Sequence, residues 1–116
     1  FNLGTILATE PQDMTPNMPR ISEEDIEVLE NEIDFANKDL PILHSFVLPG
    51  GSKINAFFHL ARTICRRCEI SIVKLSEQTK INTEILKYIN RLSDLLFVLA
   101  RQTNKNEILW KPLKNK

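Results

Sequence analysis

An all-α fold, a helical bundle, is what this sequence predicts, on three observations. Glycine is scarce, 3 of 116 residues, while Leu, Ile, Glu, Lys and Asn abound, a balance that disfavours a sandwich or a Gly-rich α/β fold. Apolar residues recur at helical spacing through three long segments. Proline and glycine cluster between those segments, in "PQDMTPNMPR" and "DLPILHSFVLPGGSK", where they punctuate rather than interrupt helices. The length fits one domain, residues 1–116.

The opening "FNLGTILATEP" reads as the end of a helix over 1–10, with Leu3, Ile6 and Leu7 on one face and Pro11 stopping it. A chain that starts inside a helix is expected to be truncated at its N-terminus. Residues 11–21 form a proline-rich loop. Ser22 and Asp25 make a capping box, with Asp in place of Glu, that starts a helix over 22–38. Ile26, Leu29, Ile33 and Ala36 share its inner face, and its run of glutamates is a solvated face. Residues 39–51 are a loop carrying unusual apolar matter: Phe46, Val47 and Leu48 must bury against the end of a bundle or against a ligand.

The longest helix is expected over 52–77, with Ser52 as its cap. Ile54, Phe57, Phe58, Ala61, Ile64, Cys65, Cys68, Ile72 and Leu75 fall within an arc of about 120°, the predicted core stripe. Arg62, Arg66 and Glu69 stack within about 60° of each other directly beside it. Arg67 points about 100° further round, toward solvent or a neighbouring subunit. A last helix, 82–102, is capped by Asn82 and buries Ile85, Ile89, Leu92, Leu96 and Leu99. Its other face groups Asn90, Asp94, Phe97 and Arg101; a phenylalanine among polar groups points to a ligand or a second subunit. The tail, 103–116, is an extended arm anchored by Ile108, Leu109 and Trp110, with its Lys-rich end fraying beyond Pro112.

Fifteen basic and fifteen acidic residues cancel, so no overall field draws the chain to nucleic acid or to an anionic membrane. Nor are Arg62, Arg66 and Arg67 spread along a basic face. Without a leader-like or bilayer-spanning apolar run, a cytoplasmic protein is expected, with no membrane partner. Cys65 and Cys68 form a CxxC spacing, but in mid-helix rather than at a helix start after a strand, and no histidine pair completes a zinc set. Both are expected to be core packing. HExxH, GxxxxGK[ST] and GxGxxG are missing from these residues, and Glu69 with Asp94 is a weak candidate for acid–base work. Arg62 and Arg66 leave two readings open. They make a guanidinium fork for phosphate oxygens at the edge of an apolar stripe, or they form an internal ion-pair network with Glu69 that extends to Asp94.

"FVLPGGSKINAFFHLARTICRRCE", followed by "YINRLSDLLFVLAR" and then "ILWKP", resembles the PduO-type ATP:cob(I)alamin adenosyltransferases (cobalamin adenosyltransferases). The opening segment is similar to that family's L-F-D-L-G-x-x-L-A-T-P. The resemblance implies a five-helix, ferritin-like up-and-down bundle assembled as a homotrimer with active sites between subunits. It implies a reaction in which cob(I)alamin attacks the ribose 5′ carbon of ATP and triphosphate leaves. Carried over, Arg66, Arg67, Glu69 and Asn90 stand where the family binds ATP. Arg62 stands where an arginine pairs with an aspartate of the neighbouring subunit. Phe46 matches the loop phenylalanine at the lower face of the corrin, and Phe97 another aromatic beside it. Arg62, Arg66 and Phe46 are the residues expected to matter for catalysis.

Two departures accompany the likeness. Ile70 stands where many members carry a basic residue. The T-x-T-G-D-x-G-x-T motif that wraps triphosphate and Mg2+ is absent, so the chain is expected to correspond to the C-terminal portion of such an enzyme, with the magnesium site in the lacking segment. ATP and cob(I)alamin are the implied substrates, and a reductase and an acceptor enzyme the implied partners. The competing reading is a noncatalytic helical module that binds a corrinoid or a partner protein through Phe46, Phe97 and the arginines.

Overall fold

The computed structural model describes residues 1–104 and 106–114; Lys105, Asn115 and Lys116, which belong to the expected tail, lie outside the described residues. The elements are α1 (Asn2–Leu7), a 3-10 turn (Pro11–Asp13), α2 (Glu23–Asn37), β1 (Val47–Leu48), α3 (Lys53–Ser76), α4 (Thr83–Gln102) and β2 (Ile108–Leu109). The fold is mostly helical.

Local chemistry sets the helix starts. Ser22 Oγ accepts from the Asp25 N–H at 3.4 Å, and Asp25 Oδ2 accepts from the Ser22 N–H at 2.8 Å, so the capping box is complete. Glu23, Glu24 and Asp25 fill the first turn of α2, where negative charge suits the exposed N–H groups. Ser52 Oγ accepts from the Asn55 N–H at 3.1 Å and caps α3. Asn82 precedes α4 without a side-chain cap bond, so its backbone alone begins that helix.

α4 is the middle of three long helices, packed by α3 on one side and α2 on the other. Pairings Asn55–Ala100 and Glu69–Asn90 run α3 antiparallel to α4; Lys87–Glu23 and Gln102–Ala36 run α2 parallel to it. Cys65, Ile72, Ile85 and Ile89 form the core between α3 and α4, extended by Leu3, Ile6 and Leu7 of α1. Ile26, Leu29 and Ala36 bury the inner face of α2. Each fully buried Ile or Leu among these contributes about 1.5–3 kcal/mol.

Three helices in a row make a slab. The molecule measures 58 × 35 × 23 Å with a radius of gyration of 17.3 Å, where a compact chain of this size has about 13–14 Å. The outer faces of α2 and α3 are therefore bare, which overturns part of the expected core. Ile54, Phe57 and Ile64 are 60%, 66% and 49% exposed. Cys68, expected in the core, is exposed too. Helix α3 buries Cys65 and Ile72 of the expected stripe together with Asn55 and His59, because α4 packs along the edge where the stripe meets the polar line and the other edge of the stripe turns outward. Arg101, grouped from sequence with a ligand-facing set, is buried against its own chain.

Candidate functional site

The seam between α3 and α4 carries a line of polar side chains: Asn55, His59, Arg62, Arg66 and Glu69 step down α3 at intervals of three or four. At 1.5 Å per residue it extends about 21 Å. Asn90 and Phe97 meet it from α4.

Glu69 is the node of the lower end. Its side chain is 15% exposed; it pairs with Arg66 one turn back, and Oε1 accepts from Asn90 Nδ2 at 2.9 Å. Asn90 Oδ1 in turn accepts from Arg91 Nη1 at 2.8 Å. The ion pair and the amide bond behind it fix the direction of half-exposed Arg66, whose Nη2 and Nε donors meet no acceptor among the described residues. Of the two readings of the arginines, Arg66–Glu69 is an ion pair in this structure, while Arg62 is not joined to Glu69 by any ion pair and Asp94 is exposed. Arg67 is exposed on a different side of α3 and does not join the cluster.

Higher on the seam, the Arg62 guanidinium carbon lies 5.1 Å from the centre of the Phe97 ring, a cation–π contact. The Phe97 ring also meets His59 in a T-shaped contact, centroids 6.2 Å apart at 67°. His59 is buried, and its Nε2 has no hydrogen-bond partner among the described residues. Burial, then the positive charge of Arg62, pushes the His59 pKa below its usual 6.5, so the ring is neutral at neutral pH. Phe97 is thereby a spacer with one cationic and one neutral polar neighbour.

Phe46 sits above the seam, in the loop before α3, 77% exposed, its ring edge-on to Trp110 at 6.1 Å and 71°. The loop ends in Pro49-Gly50-Gly51, with Gly50 at φ 132° and Gly51 at φ 93°, conformations that favour glycine. A Cβ on Gly51 would lie 2.9 Å from Asn104 Cγ. Buried Asn55 accepts from the Gly50 N–H through Oδ1 at 2.9 Å and donates from Nδ2 to the Ala100 carbonyl at 2.8 Å, locking the loop to both helices.

The structure thus brings together Arg66, Glu69 and Asn90, and separately Arg62 and Phe97, on one seam. It leaves Arg67 apart and puts Phe46 at the loop end. Sequence reasoning missed Asn55 and His59, although their positions extend the Arg62–Arg66–Glu69 column upward by the same three-and-four spacing. The reading of Cys65 stands: its Sγ donates to the Ile89 carbonyl at 3.5 Å, and burial, with Cys68 and Glu69 nearby, pushes its pKa up.

A model of cobalamin adenosyltransferases matches residues 1–103. The chain belongs to the cobalamin adenosyltransferase family. It is 45% identical over 119 residues to the corrinoid adenosyltransferase of Mycobacterium leprae, a match covering 97% of this chain and 62% of that protein. It is 41% identical over 115 residues to the corrinoid adenosyltransferase PduO of Citrobacter freundii, covering 96% of this chain and 34% of that one. Among solved structures of the family, a variant PduO-type ATP:corrinoid adenosyltransferase from Lactobacillus reuteri complexed with cobalamin and ATP superposes with a TM-score of 0.88 at 35% identity, over 97% of this chain and 64% of that one. The chain therefore spans about three-fifths of the length of the M. leprae protein. None of the described helices is long and apolar enough to cross a membrane.

Proposed function

We propose that this chain is the corrinoid- and nucleotide-binding portion of an ATP:cob(I)alamin adenosyltransferase. In the reaction, the two-electron Co(I) centre attacks the ribose 5′ carbon; the Co–C bond forms as the C5′–O bond breaks, and triphosphate leaves with the electron pair. Arg66, Glu69 and Asn90 bind ATP: the carboxylate and amide fix Arg66 so that its free donors meet charge developing on the leaving group, a pre-set arrangement that lowers the barrier. Arg62 shapes the nucleotide site beside Phe97 and pairs across to a neighbouring subunit, and Arg67 reaches the nucleotide from its exposed side. Phe46 and Phe97 supply the apolar surface that keeps water and nitrogen ligands from the lower face of the corrin.

The observation that carries this reading is the Asn90–Glu69 bond at 2.9 Å with Arg66 on the same carboxylate, in a chain whose family is known. The bare faces of α2 and α3 support a larger five-helix bundle and a homotrimer with sites between subunits, since Phe35 and Phe57 are 75% and 66% exposed. Mg2+ accompanying ATP is part of the proposal, held chiefly by the triphosphate; Glu69 is already occupied by Arg66 and Asn90. A cytoplasmic setting, with a reductase supplying cob(I)alamin and an acceptor enzyme taking the product, completes the proposal.

Formation of adenosylcobalamin from ATP and chemically reduced cobalamin, with triphosphate in equal amount, tests it in a protein of the relatives' full length containing this chain. Absence of product overturns it.

A further inference from the structure

The tail after α4 is not idle. β2 pairs antiparallel with β1, Val47 opposite Leu109 and Leu48 opposite Ile108. The Trp110 N–H donates to the Phe46 carbonyl at 2.7 Å, and Ser45 Oγ donates to the Trp110 carbonyl at 2.7 Å. The Trp110 backbone thus holds the Phe46 carbonyl and the Ser45 hydroxyl, and the Trp110 ring packs against the Phe46 ring in a T-shaped contact. A two-stranded ladder this short is marginal alone, so something must fasten the strand.

Arg101 does so. Its side chain is 5% exposed; Nε donates to Glu107 Oε1 at 2.6 Å, and Nη2 donates to Glu107 Oε2 at 3.3 Å and to the Pro41 carbonyl at 2.7 Å. One buried guanidinium therefore ties the start of the loop and the start of the tail to the last turn of α4. Asn104 Nδ2 donates to the Gly50 carbonyl at 3.0 Å, tying the loop's other end to the residue just past α4. A bidentate, buried pair is the strong form of this bond, and removing one partner leaves a desolvated charge.

We propose that Glu107–Trp110 is a strap that positions Phe46, latched by Arg101 and Glu107. It acts on the corrinoid half of the reaction through Phe46 and leaves the nucleotide half, lower on the α3–α4 seam, untouched. This rests on the adenosyltransferase reading for its consequence and on the ladder and the latch for its existence.

The test uses the full-length protein and four variants: Glu107→Gln, Arg101→Lys, Phe46→Ala and the double variant Phe46→Ala/Glu107→Gln. The latch variants are expected to lower kcat/KM for cob(I)alamin about tenfold while KM for ATP stays within about twofold, and the double variant to be no slower than Phe46→Ala alone. Multiplying losses in the double variant, an equal rise in KM for ATP, or an unchanged rate in Glu107→Gln would each overturn the proposal. Trp110 is the single tryptophan of these 116 residues, and its acrylamide quenching, with any tryptophan elsewhere in the full-length protein replaced by Phe, reads the strap without catalysis. Quenching should rise in both latch variants. Unchanged quenching in both overturns the latch, whereas raised quenching in a protein that makes no adenosylcobalamin sinks the adenosyltransferase reading and leaves the strap standing.

Discussion

Asn90 of α4 donates to Glu69 of α3 across 2.9 Å, and the same carboxylate holds Arg66. One bond thus spans two helices and aims a cation. Replacing Asn90 by Ala removes the span and lets Arg66 and Glu69 swing; the expected result is an adenosyl-transfer rate down about 10- to 100-fold with a raised KM for ATP. Steady-state kinetics with ATP varied at saturating corrinoid check it. An unchanged KM for ATP would remove Asn90 from the nucleotide site.

Asn55, 1% exposed, serves the Gly50 N–H and the Ala100 carbonyl together. In Asn55→Ala the half-buried Gly50 N–H loses its partner, while the Ala100 carbonyl keeps the Thr103 hydroxyl and N–H, which costs about 1–2 kcal/mol for one unmet bond. Urea unfolding should show that loss as a lower midpoint with an unchanged slope. A change under about 0.5 kcal/mol would mean that water replaces the side chain freely.

His59 gives the fold a pH dependence of known sign. Its folded pKa lies below 6.5, from burial first and Arg62 second, so the unfolded chain binds a proton that the folded one refuses. Stability from this group is complete above pH 6.5 and is lost as pH falls through the unfolded value toward the folded one. Melting temperatures from pH 8 to pH 5 should decline more steeply for the parent than for His59→Gln. Equal slopes would show that the ring titrates normally.

The two cysteines should react differently. Cys65 is buried with its pKa raised, and Cys68 is exposed. A thiol reagent at neutral pH should therefore label one equivalent per native chain and two after denaturation. Two fast equivalents would contradict the packing around Ile89.

The helices were legible because capping and periodicity are local: Ser22 with Asp25, and Ser52, announce their starts, and Ile85 and Ile89 their inward face. What sequence could not reveal depends on which neighbours exist. The stripe through Ile54, Phe57 and Ile64 is a true apolar face, yet α4 packs along the edge where it meets the polar line, so periodicity marked the face without saying what covers it. The column Arg62, Arg66, Glu69 was legible as a column, but only the approach of Asn90 separates Arg66, held by Glu69, from Arg62, stacked on Phe97. The tail's anchoring residues were visible as an apolar triplet. The Arg101–Glu107 latch was not, because a pair spanning the end of a helix has no fixed spacing rule.

The most direct measurement is the pair of affinities in Arg66→Ala, made in the full-length protein: ATP by calorimetry and cobalamin by absorbance, beside the rate of adenosylcobalamin formation. The expected result is transfer reduced about 100-fold or more, ATP binding weakened at least about tenfold and cobalamin binding nearly intact. Transfer and ATP binding at the parent level would contradict the account and leave a helical module that only carries the corrinoid.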